Sequence, residues 1–285
     1  MNNERQFTSH GLTLTYSSWG KENNPPLLLL HGFTGAASSW ASLASLWSHS
    51  YFVVAPDLPG HGQSPPLPVA QDMSVSQTAI VLHQLMLSLG AVPYGVVGYS
   101  FGGRIALHLL TIAGQEISCA ILESTSPGIA DDHLRQLRQI SDQELARRII
   151  QRGMDWFVPY WTQLPLFSSQ SRLPKDLQAA QVRERSQHTP WGLAQSLRGA
   201  GTGTQEPLWN RLASISSPTL LITGLLDQKY HAIALTMQQQ WPSVKWTALQ
   251  NAGHNVHLEQ PDHFLNIASP FLTQHLLKKG LIANG

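Results

Sequence analysis

Short runs of consecutive apolar residues recur before residue 130 and again after residue 212. The strongest runs lie at residues 27–30, 51–55, 94–97, 119–122 and 219–223, and a weaker run lies at 244–249. Uninterrupted apolar runs of this kind are typical of strands that are covered on both faces, as in a parallel sheet. Residues 7–19 instead alternate between apolar and polar side chains around a glycine, which predicts an antiparallel hairpin ahead of the sheet.

Segments with helical periodicity separate these runs. Residues 74–89 begin with Ser74, a favoured N-cap residue, and end before Gly90. Residues 101–113 form a second such segment, which ends before Gly114. Because strands and helices alternate, the sequence predicts an α/β fold with a mostly parallel, eight-stranded sheet between layers of helices.

This alternation stops at residues 131–211, where three helix-like pieces and clusters of Trp, Phe and Pro replace it. We therefore predict a core formed by residues 1–130 and 212–285, with residues 131–211 inserted as a helical lid. The lid contains 11 lysine or arginine residues and 8 acidic residues, a net charge of +3, whereas the rest of the chain carries −2. Either the lid covers a site for a negatively charged ligand, or its charges form a solvated helical face.

Composition excludes several classes of protein. The chain is 42% hydrophobic and 12% charged, which excludes a disordered chain, and 18 basic against 17 acidic residues argue against a nucleic-acid binder. The lone cysteine, Cys119, excludes an internal disulfide and cysteine-based metal clusters. Neither a signal peptide nor a membrane-spanning apolar stretch is evident, so we expect a cytoplasmic protein without membrane insertion. Dinucleotide-binding and phosphate-loop motifs are absent, and no cofactor is expected.

The motif Gly98-Tyr99-Ser100-Phe101-Gly102 follows one apolar run and opens a helical segment. This context is the one that a nucleophile elbow requires, with small residues on both sides of an exposed serine. A serine hydroxyl needs a base that is itself oriented by an acid. The motif therefore predicts a catalytic Ser100 with partners further along the chain.

His254 follows the last apolar run, and Asp227 follows the run before it, which gives the chain order Ser, Asp, His of α/β hydrolases. Glu123 also ends a strand and is the alternative acid, although the motif context favours Asp227. Asp57 lies among Pro and Gly residues, which indicates a structural role in a turn.

Three other histidines, His31, His61 and His257, lie near these motifs, and we interpret them as hydrogen-bonded structural histidines. His254 and His257 are spaced as in H-x-x-H, but the H-E-x-x-H pattern of zinc enzymes is absent, so no metal site is expected.

Residues 31–35 (His-Gly-Phe-Thr-Gly) follow the first apolar run and resemble an oxyanion-hole segment. The donors would be the backbone amides of Phe33 and of Phe101, the residue after the nucleophile. Arg104 lies one helical turn after Ser100, where it could bind a substrate carboxylate or form an internal salt bridge. Spacing alone leaves both roles open.

Residues 31–35, 57–64, 98–102 and 251–254 together resemble the α/β-hydrolase superfamily. Residues 123–128 (ESTSPG), 161–167 (WTQLPLF) and 196–203 (SLRGAGTG), with the elbow extended to Arg104 (GYSFGGR), are similar to one family within it. That family is the SHCHC synthases, 2-succinyl-6-hydroxy-2,4-cyclohexadiene-1-carboxylate synthases of menaquinone and phylloquinone biosynthesis.

The resemblance implies a lyase that eliminates pyruvate from a cyclohexene precursor with three carboxylates, a small-molecule substrate consistent with a basic lid. It implies Ser100, Asp227 and His254 as the catalytic triad. It further implies substrate contacts from five residues, namely Tyr99, Arg104, Arg138, Trp161 and Arg198. Arg135, one helical turn before Arg138, is the alternative to it.

Two other functions fit parts of the sequence. A carboxylesterase or carbon–carbon bond hydrolase would use the same triad, because the triad alone does not distinguish elimination from hydrolysis. A ligand-binding module that has kept the fold is the second alternative, since fold does not imply function. The complete Ser, Asp, His set argues against it. The oligomeric state is left open by the sequence.

Overall fold

The computed structural model describes residues 3–277. Its eight strands, β1 to β8, are Asn3–Ser9, Leu12–Trp19, Pro26–Leu30, Phe52–Pro56, Tyr94–Tyr99, Ile117–Glu123, Thr219–Gly224 and Lys245–Leu249. They form one sheet in the order β1-β2-β4-β3-β5-β6-β7-β8. The pairs β1–β2 and β2–β4 are antiparallel, and the five remaining pairs are parallel. The predicted hairpin and the mostly parallel, eight-stranded sheet are therefore confirmed.

Nine α-helices lie within the described residues. In chain order, α1 to α9 are Ala41–Trp47, Val75–Ser88, Phe101–Ile112, Asp132–Thr162, Lys175–Ser186, Pro190–Ala200, Gln228–Gln240, Val256–Glu259 and Pro261–Leu272. The predicted helices at 74–89 and 101–113 correspond to α2 and α3. Ser74 caps α2 as expected, because its hydroxyl accepts a hydrogen bond from the Gln77 amide over 3.2 Å.

The sheet has a hydrophobic core on each face. Side chains of α2, α3 and α7 pack on one face, and side chains of α1 and α9 pack on the other. Every residue of β4, β5, β6 and β7 is buried, which explains why these strands are uninterrupted apolar runs in the sequence.

The lid region contains more structure than the three predicted helical pieces. The long helix α4 is broken at Gly153, whose φ of +73° and ψ of −176° are not helical. A 3-10 segment, Pro165–Arg172, links α4 to α5, and α6 completes the lid. Phe157 lies in a small core between α4 and α6, whereas Trp161 faces a cavity beneath the lid.

Residues 3–277 contain neither a membrane-spanning helix nor a cluster of metal-ligating side chains. None of the helices has the length and apolar content needed to cross a membrane. No group of three or more His, Cys, Asp or Glu side chains is arranged to hold a metal ion there.

Candidate active site

A sharp turn between β5 and α3 presents Ser100 at the carboxyl edge of the sheet. Ser100 has φ +50° and ψ −104°, a strained conformation for a residue with a side chain. The turn needs glycine on both sides of the serine. A Cβ on Gly98 would lie 2.6 Å from the Gly102 carbonyl oxygen, and a Cβ on Gly102 would lie 2.2 Å from the Leu30 carbonyl oxygen. The motif glycines therefore allow the strand, turn and helix to pack closely around the serine.

The side chains of Ser100, His254 and Asp227, which follow β5, β8 and β7, are joined by two hydrogen bonds. The Ser100 hydroxyl donates to Nε2 of His254 over 2.8 Å, and Nδ1–H of His254 donates to Oδ2 of Asp227 over 2.6 Å. This tautomer, assigned from the two partners, leaves Nε2 able to take the serine proton. The geometry thus brings Ser100, Asp227 and His254 together in an arrangement that can make the hydroxyl oxygen a base or a nucleophile.

Glu123, the alternative acid, contacts a different histidine. Its buried carboxylate accepts hydrogen bonds from Nδ1–H of His257 over 2.6 Å and from the His257 amide over 3.1 Å. The His257 ring also stacks on Trp40, with 4.2 Å between the ring centroids. The carboxylate beside His254 is therefore that of Asp227.

Phe33 and Phe101, the residues whose backbone amides are the predicted oxyanion donors, line the cavity beside Ser100. Phe33 lies in the loop after β3, and Phe101 is the first residue of α3. Within residues 3–277 neither amide takes part in a turn, strand or capping hydrogen bond. The Gly102 amide donates to the His31 carbonyl over 3.0 Å, which fixes the loop against the start of α3. Both amides are thus available to stabilise a negative oxygen beside the serine.

The imidazole of His31 holds the same loop. Its Nδ1–H donates to the Gly32 carbonyl over 2.7 Å, and its Nε2 accepts from the Leu58 amide over 2.9 Å. Burial lowers the pKa of His31 to about 4, so the ring is neutral near pH 7. The prediction of a hydrogen-bonded structural histidine is confirmed here.

The loop at residues 57–64 follows β4. Asp57 accepts hydrogen bonds from the amides of Ala37 and Gln63, each over 2.7 Å, which confirms its structural role. Nδ1–H of His61 donates to the Pro59 carbonyl over 3.2 Å, but Nε2 is buried and has no partner within the described residues. His61 is therefore a hydrogen-bonded histidine as expected, but only one of its two ring nitrogens has a partner in the described chain. Burial also lowers the pKa of His61 well below its usual value.

A cavity, which we call the main cavity, lies between Ser100 and the lid. Arg104 lines it and is buried. One guanidinium nitrogen, Nη1, donates to Gln205 Oε1 over 3.3 Å, and Cζ lies 5.0 Å from the centroid of the Phe101 ring. No carboxylate lies within salt-bridge distance of Arg104 in the described chain, so the internal salt bridge that the spacing left open does not form. Burial lowers the pKa of Arg104 to about 10, and the side chain keeps its charge near pH 7.

Of the two arginines on α4 that the sequence left open, Arg138 lines the main cavity. Its Nε donates to Asp142 Oδ1 over 2.7 Å, so part of its charge is already neutralised. Arg135 lies outside the cavity lining and donates to the Ile129 carbonyl and to the Asp132 carboxylate. The geometry therefore brings Arg138, and not Arg135, to the cavity.

Comparisons with known proteins agree with these motifs. Residues 25–261 match the family model of the α/β-hydrolase fold. The chain is 36% identical over 265 residues to a Bacillus subtilis (strain 168) protein that carries the name 2-succinyl-6-hydroxy-2,4-cyclohexadiene-1-carboxylate synthase, covering 93% of this chain and 96% of that one. It is 32% identical to the synthase of that name from Enterobacter sp. (strain 638), covering 85% and 89% of the two chains. The chain belongs to the SHCHC synthase family.

The structure agrees with this assignment. The solved structure of MenH from S. aureus superposes with a TM-score of 0.87 at 32% sequence identity, covering 91% of this chain and 98% of that chain. The predicted fold and family are therefore confirmed.

Within this SHCHC synthase fold, Arg198 is the predicted substrate contact that does not reach the main cavity. Leu197 and Ala200 of α6 line the cavity, and Arg198 points about 100° away from Leu197 around the helix axis. Its Nη1 donates to Gln195 over 2.9 Å, and it lines a separate surface groove with Arg147. The structure therefore does not bring Arg198 to this cavity, and its role as a substrate contact stays a prediction.

Sequence reasoning missed Arg185, near the end of α5. This side chain is buried, and its Cζ lies 5.2 Å from the centroid of the Phe167 ring. It donates to Thr162 Oγ1 over 2.9 Å and lines a second cavity, which shares Phe33, Tyr99 and Phe167 with the main cavity. The basic pair Arg183-x-Arg185 is its only signal in the sequence, and that pattern resembles a solvated helix end.

Tyr230, in the first turn of α7, was also missed. Its ring lies 4.5 Å from the His254 ring between centroids, and it lines the main cavity. Its amide donates to Asp227 Oδ1 over 3.2 Å. Tyr230 therefore supports both the acid and the histidine of the triad, while Tyr99, a predicted contact, lies 5.4 Å from His254 on another side.

Proposed function

We propose that this SHCHC synthase family member eliminates pyruvate from 2-succinyl-5-enolpyruvyl-6-hydroxy-3-cyclohexene-1-carboxylate and forms 2-succinyl-6-hydroxy-2,4-cyclohexadiene-1-carboxylate. The reaction belongs to menaquinone or phylloquinone biosynthesis, and its setting would be the cytoplasm. The observation that carries the proposal is that one cavity contains both the hydrogen-bonded Ser100, His254 and Asp227 and the buried Arg104. Arg104 has no carboxylate partner in the described residues. A neutral ester would leave that cation without a partner.

The first step is removal of the proton on the ring carbon that carries the succinyl group, which is α to the succinyl ketone. Ser100 passes its own proton to Nε2 of His254 and takes this carbon-bound proton. The electron pair moves onto the ketone oxygen, and the Phe33 and Phe101 amides stabilise the resulting enolate. Asp227 stabilises the imidazolium that His254 becomes.

In the second step the enolate electrons form a double bond between this ring carbon and its ring neighbour, and the original ring double bond shifts by one position. The carbon–oxygen bond to the enolpyruvyl group breaks, and the leaving group departs as the enolate of pyruvate. The imidazolium of His254 gives up the proton it received, which converts this enolate to pyruvate and leaves His254 neutral again. The ring becomes the cyclohexadiene. No bond to Ser100 forms, so the serine acts as a base and not as a nucleophile.

Substrate binding would use the cations around the two cavities. Arg104 and Arg138 line the main cavity and Arg185 lines the second one, which offers one cation for each of the three substrate carboxylates. The Trp161 indole N–H is buried at the main cavity without a partner in the described residues, so it can donate to the substrate. Tyr99 separates the two cavities and would pack against the ring.

The alternative function, ester or carbon–carbon bond hydrolysis, uses the same triad through a serine nucleophile. Purified protein can be given the precursor, generated in situ, and in parallel a chromogenic short-chain ester. We expect rapid release of pyruvate and slow turnover of the ester. Fast ester turnover with a burst of acylation, and no pyruvate, would contradict the proposal and favour the hydrolase.

A further inference from the structure

The turn between α5 and α6 of the lid contacts the loop that carries the Phe33 amide. His188, in this turn, is buried. Its Nε2–H donates to the Thr34 carbonyl over 2.9 Å, and its Nδ1 accepts from the Gly62 amide over 3.2 Å. Both bonds form together only when the imidazole is neutral and protonated on Nε2. His188 thus links the lid to two loops of the core.

The backbone at Thr34 is strained. The Gly35 amide donates to the Gly32 carbonyl over 3.0 Å and closes a four-residue turn, and Thr34 is its third residue with φ +70°. Turns with positive φ at this position favour glycine or asparagine, because a β-branched side chain crowds the backbone there. Such a conformation is energetically unfavourable and persists only when surrounding contacts enforce it.

The hydrogen bond from His188 supplies such a contact. It holds the carbonyl of Thr34, one residue after Phe33, which lines the main cavity from the same turn. We propose that His188 is a positioning residue that fixes the strained turn at residues 32–35, so that the Phe33 amide stays aligned for the enolate oxygen. The expected effect on kinetics rests on the proposed elimination. The expected effect on the structure of the turn rests on the turn geometry alone.

Attachment of the lid has other sources. Glu184 accepts hydrogen bonds from the hydroxyls of Ser38 and Ser39 over 2.7 and 2.9 Å. The backbones of Gly60 and Gly192 also meet closely, since a Cβ on Gly60 would lie 2.4 Å from the Gly192 carbonyl oxygen. The lid therefore stays on the core without His188, whose bond acts on the strained turn.

The imidazole of His188 stays neutral in its surroundings. Burial lowers its pKa, whereas the nearby carboxylates of Asp57 and Glu184 oppose this shift. The His61 ring lies 5.4 Å away between centroids and is itself neutral. The donor to Thr34 is therefore present near pH 7.

Two substitutions at one position separate the bond to Thr34 from the rest of the side chain. In His188→Gln the longer amide can place its nitrogen near the Nε2 position and still donate to Thr34. In His188→Asn the amide reaches only as far as Nδ1. We expect His188→Asn to lower kcat for pyruvate release about 10-fold to 100-fold with KM within about twofold, because loss of one oxyanion donor costs up to about 100-fold to 1,000-fold. We expect His188→Gln to keep most of kcat.

The exposed neighbour Gln187 provides a matched control, and Gln187→Ala should retain wild-type kinetics. Glycine adopts positive φ without strain, so Thr34→Gly combined with His188→Asn should recover most of the lost kcat. Wild-type kcat in His188→Asn would overturn the proposal, as would a raised KM with unchanged kcat or no recovery in the double variant.

A crystal structure of His188→Asn tests the proposal independently of the reaction. We expect the backbone at residues 33–35 to be rotated, with the Phe33 amide turned from the cavity. An unchanged turn would overturn the proposal. If the wild-type protein releases no pyruvate, the proposed function fails, and this structure still decides the role of His188.

Discussion

Arg104 lies beneath the lid with its guanidinium against the Phe101 ring and no carboxylate beside it in the described chain. Removing a cation from water without an anionic partner costs several kcal/mol, which a bound carboxylate offsets. Arg198 was predicted from the sequence to bind the same substrate, yet it lines a separate surface groove. The two arginines therefore provide a matched pair for testing where the substrate binds.

We expect Arg104→Gln to lower kcat/KM for pyruvate release, with a loss of transition-state stabilisation of about 2–5 kcal/mol. The reason is that a substrate carboxylate loses its charged partner in a buried site. Arg198→Gln should leave kcat/KM within about twofold of wild type. Steady-state kinetics of both variants check this. An equal loss in the two variants would return Arg198 to the binding site.

Trp161 offers a second test at the residue scale. In Trp161→Phe the aromatic ring is kept and the indole N–H is lost. Because this N–H has no partner in the described protein, we expect Tm to stay the same. We expect kcat/KM to fall, because the loss of a hydrogen bond to substrate removes about 0.5–1.5 kcal/mol of binding free energy. Thermal melting and kinetics on the same samples check both values. A lower Tm with unchanged kinetics would assign the N–H a structural role.

The residues of the triad could be predicted because each follows a strand and the order Ser, Asp, His is readable along the chain. The arginines were harder. The side of α6 on which Arg198 lies depends on how this helix is rotated about its axis against the core. Arg185 becomes buried only when Phe167 and α4 pack over it. Tertiary packing, which the sequence does not encode locally, decides both positions.

At the scale of elements, the packing of α3 on β3 sets the position of the serine. Gly102 has no space for a side chain, and its amide donates to the His31 carbonyl. The start of α3 and the end of β3 therefore form one closely packed unit, which holds Ser100 beside the loop at residues 31–35.

Gly102→Ala should separate this unit. A Cβ 2.2 Å from the Leu30 carbonyl oxygen forces the backbone apart, and such overpacking typically costs about 1–3 kcal/mol. In a chain of this size we expect Tm to fall by several degrees, at about 2–4 °C per kcal/mol, together with a lower kcat. Calorimetry and kinetics measure the two effects. An unchanged Tm would show that α3 shifts without strain.

The strands and the helices α2 and α3 could be predicted because burial on both faces of the sheet leaves apolar runs, and capping residues mark the helix ends. The lid was predicted less well. The break in α4 at Gly153 and the 3-10 segment Pro165–Arg172 depend on contacts among lid aromatic residues, such as Trp161 with Phe167, rather than on a regular periodicity.

At the scale of the whole molecule, several buried histidines are held neutral around the site. Burial lowers the pKa of His31 and of His108 to about 4, and it lowers the pKa values of His61 and His188 in the same direction. In the unfolded chain a histidine titrates near pH 6.5. Below that pH the unfolded chain binds protons that the folded protein does not, so acid favours unfolding.

We therefore expect the free energy of unfolding to be steady above about pH 6.5 and to fall as the pH drops from about 6.5 toward 4. Denaturant titrations at pH 7, 6 and 5 measure this fall. His108→Leu removes one titrating group whose Nε2 has no partner in the described residues, so its fall should be smaller than that of wild type. An equal fall in the variant would mean that His108 does not contribute.

The eight-stranded sheet and the family could be predicted for the whole molecule because the motifs lie on both sides of the lid and fix its place in the chain order. The shape of the space between lid and core could not be predicted, since it depends on how α4, α5 and α6 lie across the sheet edge. That space determines which cations meet the substrate.

The central claim is that Ser100, activated by His254, removes the proton that starts the elimination of pyruvate. Its most direct test is pyruvate release from the precursor at enzyme excess, compared between the wild-type protein and Ser100→Ala. The account predicts one pyruvate per precursor with wild type and a rate at least about 1,000-fold lower with Ser100→Ala. Equal rates in the two proteins, or no pyruvate from wild type, would contradict it.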